Sequence, residues 1–218
     1  MTTIICHPDP ATLMSFAAGT LAEPLAAVVA AHVDMCEACR CEVDDLDLVG
    51  ALLLAEVAPG RGAVSRAPAT LPVIARAEAD VGPGRHADPS GRLPRRLAAA
   101  YQLSFDSIPW KRLGPGVWHH RLPLGAGGRG DLRLLKIGPG RVMPDHGHGG
   151  GELTLVLDGA YSDETGTFRR GDIQDIDESV EHTPVADRDT GCICLIASER
   201  PARFKGLVGR LIQPWTGM

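Results

Sequence analysis

Two sets of candidate metal ligands, one in each half of the chain, constrain this sequence more than any other feature. In the first, His7 precedes His32-x3-Cys36-x2-Cys39. In the second, Gly140-x5-His146-x-His148-x3-Glu152-x6-Gly159 is followed by His182. Thiolate combined with imidazole suits a closed tetrahedral zinc site. Three imidazoles with a carboxylate can hold zinc, iron, manganese or nickel. Two unlike ligand sets in 218 residues imply two domains with separate tasks.

The grammar around the first set is helical. Asp9-Pro10 reads as a helix start, because Asp can cap and Pro tolerates the first helical position. Leu13, Phe16 and Ala17 then repeat at helical spacing up to Gly19. A second helix follows Pro24, with an apolar stripe through Leu21, Leu25, Val28 and Val29 that ends at His32. A third runs from about residue 37 to 57, with Val43, Leu46, Val49, Leu53, Leu54 and Val57 on one side. Glu42, Asp44, Asp45 and Asp47 cover much of its other surface. Cys36 and Cys39 thereby open the third helix, where the positive end of the dipole favours thiolate. A single zinc on His7, His32, Cys36 and Cys39 would tie the ends of three helices together, supplying what the thin core of a small bundle lacks. A thioredoxin-like reading of the cysteine pair expects an adjoining βαβ pattern, and none is visible. Cys6 and Cys41 are further thiols able to compete for the metal.

Residues 59 to about 100 are rich in Pro, Gly, Ala and Arg. Residues 71–79 have the composition of a short isolated helix, and 82–91 read as flexible linker. From about residue 103 the grammar changes. Turn pairs recur at Gly114-Pro115, Gly127-Gly128, Gly138-Pro139, Asp158-Gly159 and Arg170-Gly171. Apolar runs at 132–137, 153–157 and 193–197 sit between them. Short strands with regular turns predict an antiparallel sandwich or barrel. His146 and His148, two apart on a strand, share a face. Glu152 follows the Gly149-Gly150-Gly151 bend, and His182 must come from another strand. Cys192 and Cys194 lie on one side of a strand, either as small core residues or as thiols facing the metal pocket.

Charge divides the chain further. Residues 1–58 carry nine acidic residues against one basic, Arg40, whereas residues 59–101 carry seven arginines against three acids. The acidic head would repel phosphate, which argues against direct nucleic-acid binding and suits a basic protein partner. The N-terminus shows no charged segment followed by an apolar one, and no apolar run is long enough to span a membrane. A cytoplasmic location is therefore expected, where clustered cysteines read as metal ligands rather than disulfides.

His32-Val-Asp-Met-Cys36-Glu-Ala-Cys39 with the upstream His7 resembles the zinc-binding anti-sigma domain, and Ala17-Ala-Gly-Thr-Leu21 with Cys36 to Arg40 resembles its ChrR subfamily. The Gly140 to Gly159 pattern resembles the first cupin motif, and Gly171 stands at the second motif's spacing from His182. Asp177 and Ser179 replace the Pro and Gly that cupins often carry there. The subfamily likeness extends through Trp110 to Val117, Pro144 to His148, Glu152 to Leu157, His182 to Ala186, Cys192 to Leu195 and Leu211 to Pro214.

The resemblance implies an α+β chain of two domains. Residues 1–80 would form a small helical zinc-binding bundle, 81–102 a linker, and 103–218 an antiparallel cupin β-barrel. It implies that His7, His32, Cys36 and Cys39 hold zinc, and that a fourth helix, at 71–79, reaches the partner. His146, His148, Glu152 and His182 would hold zinc or another divalent transition metal inside the barrel. The implied partner is an extracytoplasmic-function sigma factor, released when the cupin senses singlet oxygen or an organic hydroperoxide. The competing expectation is a metal-dependent cupin dioxygenase with a helical zinc appendage.

Overall fold

The computed structural model describes residues 3–56, 87–144, 146–147, 150–200 and 203–204. Helix α1 spans Pro10–Ala17, and Asp9 caps it by accepting from the Ala11 amide at 2.8 Å. Helix α2 spans Glu23–Met35 and helix α3 spans Glu37–Glu56. Cys36 separates them in an extended conformation, which stops the helix and turns the chain. Its amide still donates to the His32 carbonyl at 2.8 Å.

Every residue of α2 from Pro24 to Val33 is buried. Alanine and valine occupy all sides of this stretch, and a helix apolar all round must be covered all round. Helices α1 and α3 pack on one side of it, and the β-sheet packs on the other. The result is one continuous apolar core in which Leu13, Val28 and Val29 pack with Leu132, Leu153, Leu155 and Leu195.

Part of the stretch read as linker is ordered. Helix α4, Arg95–Tyr101, buries Leu97 and Ala98 against α2. Its Arg-Arg-Leu-Ala-Ala-Ala run is rich in strong helix formers. Gln102, left-handed at φ 51°, ends it. Asp88 organises the approach to α4. Its carboxylate accepts from the Arg92, Leu93 and Phe105 amides and from the Ser90 and Ser104 hydroxyls. The helix expected at 71–79 lies outside the described residues.

The strands are β1 (Lys111–Gly114), β2 (Val117–Arg121), β3 (Asp131–Ile137), β4 (His146–Gly147), β5 (Glu152–Ser162), β6 (Thr167–Arg169), β7 (Ile173–Ile176), β8 (Val185–Ala186), β9 (Cys192–Ser198) and β10 (Arg203–Phe204). All their pairings are antiparallel, and the main sheet runs β1-β2-β3-β9-β5-β6. The 11-residue β5 is the hub: it pairs β9 along its length, β7 with its first half, and β6 and β8 with its end. This is the antiparallel barrel of a cupin behind a helical N-terminal region, as the sequence predicts.

Asp158-Gly159, expected as a turn, instead lies inside β5 at a bulge beside β9. Gly159 has φ +70°, and a Cβ there would lie 2.1 Å from the Gly191 carbonyl oxygen. Backbone approach, rather than chain reversal, is what requires glycine at that position. On α3 the expected apolar side divides. Val43 and Leu46 join the core, whereas Val49, Leu53 and Leu54 are exposed.

Candidate metal centres

The N-terminal ligands converge from four pieces of backbone. His7 stands in an extended segment before α1, His32 in the last turn of α2, Cys36 at the break, and Cys39 in the first turn of α3. One ligand atom from each lies within 4.8 Å of all the others. His7 Nδ1 is 3.5 Å from Cys36 Sγ and 3.3 Å from Cys39 Sγ, and His32 Nε2 is 3.3 Å from Cys39 Sγ. Zinc–nitrogen bonds of about 2.0 Å and zinc–sulfur bonds of about 2.3 Å at tetrahedral angles give nitrogen–sulfur edges of about 3.5 Å. The four residues therefore fit one tetrahedral zinc with little movement.

Electrostatics agree with the geometry. Burial lowers His32 to about 4, so near neutral pH it is the uncharged imidazole that a metal needs. Its Nδ1 donates to the Gly171 carbonyl at 3.0 Å, which leaves Nε2 as the nitrogen that would meet a metal. The sequence predicts a stabilised thiolate at the start of α3. Without a metal, however, Cys39 is pushed up to about 12, first by burial and then by neighbouring Cys36. Desolvation outweighs the helix dipole here, so a cation is what would make two adjacent buried thiolates compatible. Of the competing thiols, Cys6 packs against the barrel's second apolar cluster and Cys41 is exposed. Neither joins the four-residue group.

The barrel set is only partly described. Glu152 opens β5 and is buried, and His182 is buried before β8. The backbone of His146 pairs with Phe204 in β4 and β10, and His148 lies outside the described residues. His182 Nδ1 is 2.8 Å from Asp163 Oδ2, the carboxylate–histidine pairing by which metal-binding histidines are oriented. A metal on His182 would therefore be bound through Nε2.

Asp163 loses stabilisation by burial, yet hydrogen bonds from Thr165, Gln174 and His182 hold it below the usual carboxylate range. Gln174 donates to Asp163 at 2.7 Å and accepts from the Tyr161 hydroxyl at 2.8 Å. Cys192 and Cys194 are both buried in the apolar cluster with Tyr161 and Phe168. Cys194 is raised by its hydrogen bond to Cys192, by burial, and by the charges of Cys192 and Glu152. Both thiols are thus core residues, and Cys194 also feels the charge of a candidate ligand.

Sequence reasoning missed Asp163, Gln174 and Tyr161 as supports of His182, and missed Gly171 as the partner of His32. No local pattern marks such partners, because the contacts join residues up to 139 positions apart.

Among the described residues, no helix is long and apolar enough to cross a membrane. The family model described as the ChrR cupin-like domain matches residues 99–201, and a zinc-finger family model matches residues 11–40. The chain is 42% identical over 213 residues to the anti-sigma-E factor ChrR of Cereibacter sphaeroides, covering 98% of both proteins. It is also similar to a chain in the crystal structure of Rhodobacter sphaeroides SigE in complex with the anti-sigma ChrR. That match has a TM-score of 0.73 and 42% identity, over 90% of this chain and 99% of that one.

Proposed function

This chain belongs to the ChrR family of anti-sigma factors, and from that premise we propose that it sequesters an extracytoplasmic-function sigma factor in the cytoplasm. One observation supports this reading above the others. Leu48, Val49, Leu52 and Leu53 are 59%, 53%, 61% and 62% exposed on α3, the helix that begins at the metal cluster. These positions recur with helical periodicity and form an apolar ridge. Soluble chains seldom leave such a ridge on a helix unless something docks there. Glu42, Asp44, Asp45 and Asp47 lie on the same helix, adding negative charge that suits the basic surfaces of a DNA-binding partner.

His7, His32, Cys36 and Cys39 would hold a structural zinc, which fixes the angle between α2 and α3 and so presents the ridge. His146, His148, Glu152 and His182 would hold a metal in the barrel. We assign the barrel a sensory role toward singlet oxygen or organic hydroperoxide, with the buried thiols and metal ligands as its oxidisable groups. Turnover is no part of this assignment. A dioxygenase reading draws on the barrel alone and leaves the α3 ridge without a task.

The test is transcription in vitro by RNA polymerase with the cognate sigma factor. Full-length protein should form a stoichiometric complex and suppress transcription, and treatment with photogenerated singlet oxygen should restore it. Absence of any complex would overturn the sigma-binding reading. Suppression that survives oxidant would overturn the sensory one.

A further inference from the structure

The N-terminal zinc set is held from outside by the barrel. The β6–β7 turn supplies Gly171, whose carbonyl accepts from His32 Nδ1 at 3.0 Å. The next residue, Asp172, accepts the Ile5 and Cys6 amides at 2.8 and 3.1 Å through one carboxylate oxygen. The Ile173 amide donates to the Cys6 carbonyl at 3.1 Å, and Asp175 accepts the Asp9 amide at 2.9 Å. The segment carrying His7 is thus fastened on both sides of that histidine to one short stretch of the barrel.

Gly171 is suited to this contact. It has φ +94°, and a Cβ there would lie 2.6 Å from Ile4 Cγ1. Strand β7, which follows this turn, carries Gln174, which bonds to Asp163, the partner of His182. Strand β7 therefore touches both the carboxylate that supports His182 and the segment that carries His7.

We infer that Gly171, Asp172 and Asp175 are positioning residues of the N-terminal zinc site, so that the barrel sets how tightly this metal is held. Two of the four ligands, His7 and His32, owe their orientation to the barrel, while Cys36 and Cys39 owe theirs to the helices. Outer partners that fix a ligating histidine typically change metal affinity by about 10- to 100-fold. Loosening β7 would free the histidine side of the site first and leave the two thiolates with an incomplete shell. The inference rests on a metal occupying the four-residue cluster, and it does not depend on which protein binds α3.

The test uses the full chain loaded with cobalt(II) in place of zinc. Thiolate-to-cobalt absorption reports the cysteine-containing cluster separately from the His/Glu set of the barrel. Asp172→Ala should lose this absorption to a chelator at least ~10-fold faster than the parent protein. Asp175→Ala, which removes the contact to the Asp9 amide, should lose it a few-fold faster. Barrel melting and far-ultraviolet circular dichroism identify a variant that has simply failed to fold. In that event Asp175→Ala and hydrogen exchange on the parent protein decide the matter. Stripping the metal should speed exchange of the Ile173 amide in the barrel, by the reciprocity of linked equilibria.

Release rates within twofold of the parent in the folded variants would overturn the inference. So would Ile173 exchange that ignores the metal. A parent protein with no thiolate-to-cobalt band would refute the metal reading itself, and the inference with it.

Discussion

Truncating the α3 ridge with Leu52→Ala and Leu53→Ala should cripple partner binding without harming the fold. The two leucines are 61% and 62% exposed, so their side chains contribute little to the core. Alanine is the best helix former, which makes the replacement neutral or slightly favourable to α3 itself. If the partner covers the ridge, the pair of truncations removes on the order of 130 Å² of apolar surface from the interface, about 3 kcal/mol at ~25 cal/mol per Å². At about 1.4 kcal/mol per decade this weakens Kd roughly 100-fold. Titration calorimetry of the zinc-loaded full chain against the cognate sigma factor measures it directly, with helix content and zinc content as controls. A Kd within twofold of the parent, in a variant that keeps its helices and metal, would refute the docking assignment.

Three further outcomes follow from the same geometry. Cys39→Ser should lose the N-terminal zinc and loosen the contact between α2 and α3, seen as one metal fewer per chain and lower helicity; retained zinc would contradict the four-ligand assignment. In the metal-free protein, burial lowers His32 to about 4 from the ordinary imidazole value of 6.5, so the unfolded chain binds more protons between those values and stability falls as pH drops through that window. Urea unfolding of chelator-treated protein should show about 2 kcal/mol less stability at pH 5 than at pH 7, and His32→Gln should remove most of that slope. Asp88→Ala leaves three amides and two hydroxyls without their acceptor, and should cost about 2–4 kcal/mol in unfolding free energy. An unchanged melting curve would show that water replaces the carboxylate.

The first candidate cluster was legible because its residues sit at helix ends, and helix ends leave local marks. Asp9-Pro10 starts α1 where the sequence predicts, and His32, Cys36 and Cys39 bracket the α2–α3 break. Less legible was how α2 is buried. A stripe through Leu25, Val28 and Val29 predicts one apolar face, whereas Ala26, Ala27, Ala30 and Ala31 close the other faces as well. Small residues on every side are the signal that a second layer covers the helix, and here that layer is the barrel sheet. Helix α4 was hidden by its surroundings: seven residues between a Pro/Gly-rich stretch and the first strand resemble more linker until Leu97 and Ala98 find α2. In the barrel, Glu152 and His182 belong to recognisable spacings. Asp163 and Gln174 do not, because a buried carboxylate is chosen by what faces it across the sheet rather than by its sequence neighbours.

If a zinc-held helical unit binds the sigma factor, its affinity must depend on that metal. The most direct test is to measure sigma-factor affinity for the full chain before and after the N-terminal metal is stripped, with metal content read on the same samples. The loaded protein should bind tightly and stoichiometrically, with at least a ~100-fold loss on stripping, because α3 then loses its fixed angle to α2. Equal affinity in the two states, with the cluster shown to be empty in one of them, would contradict it.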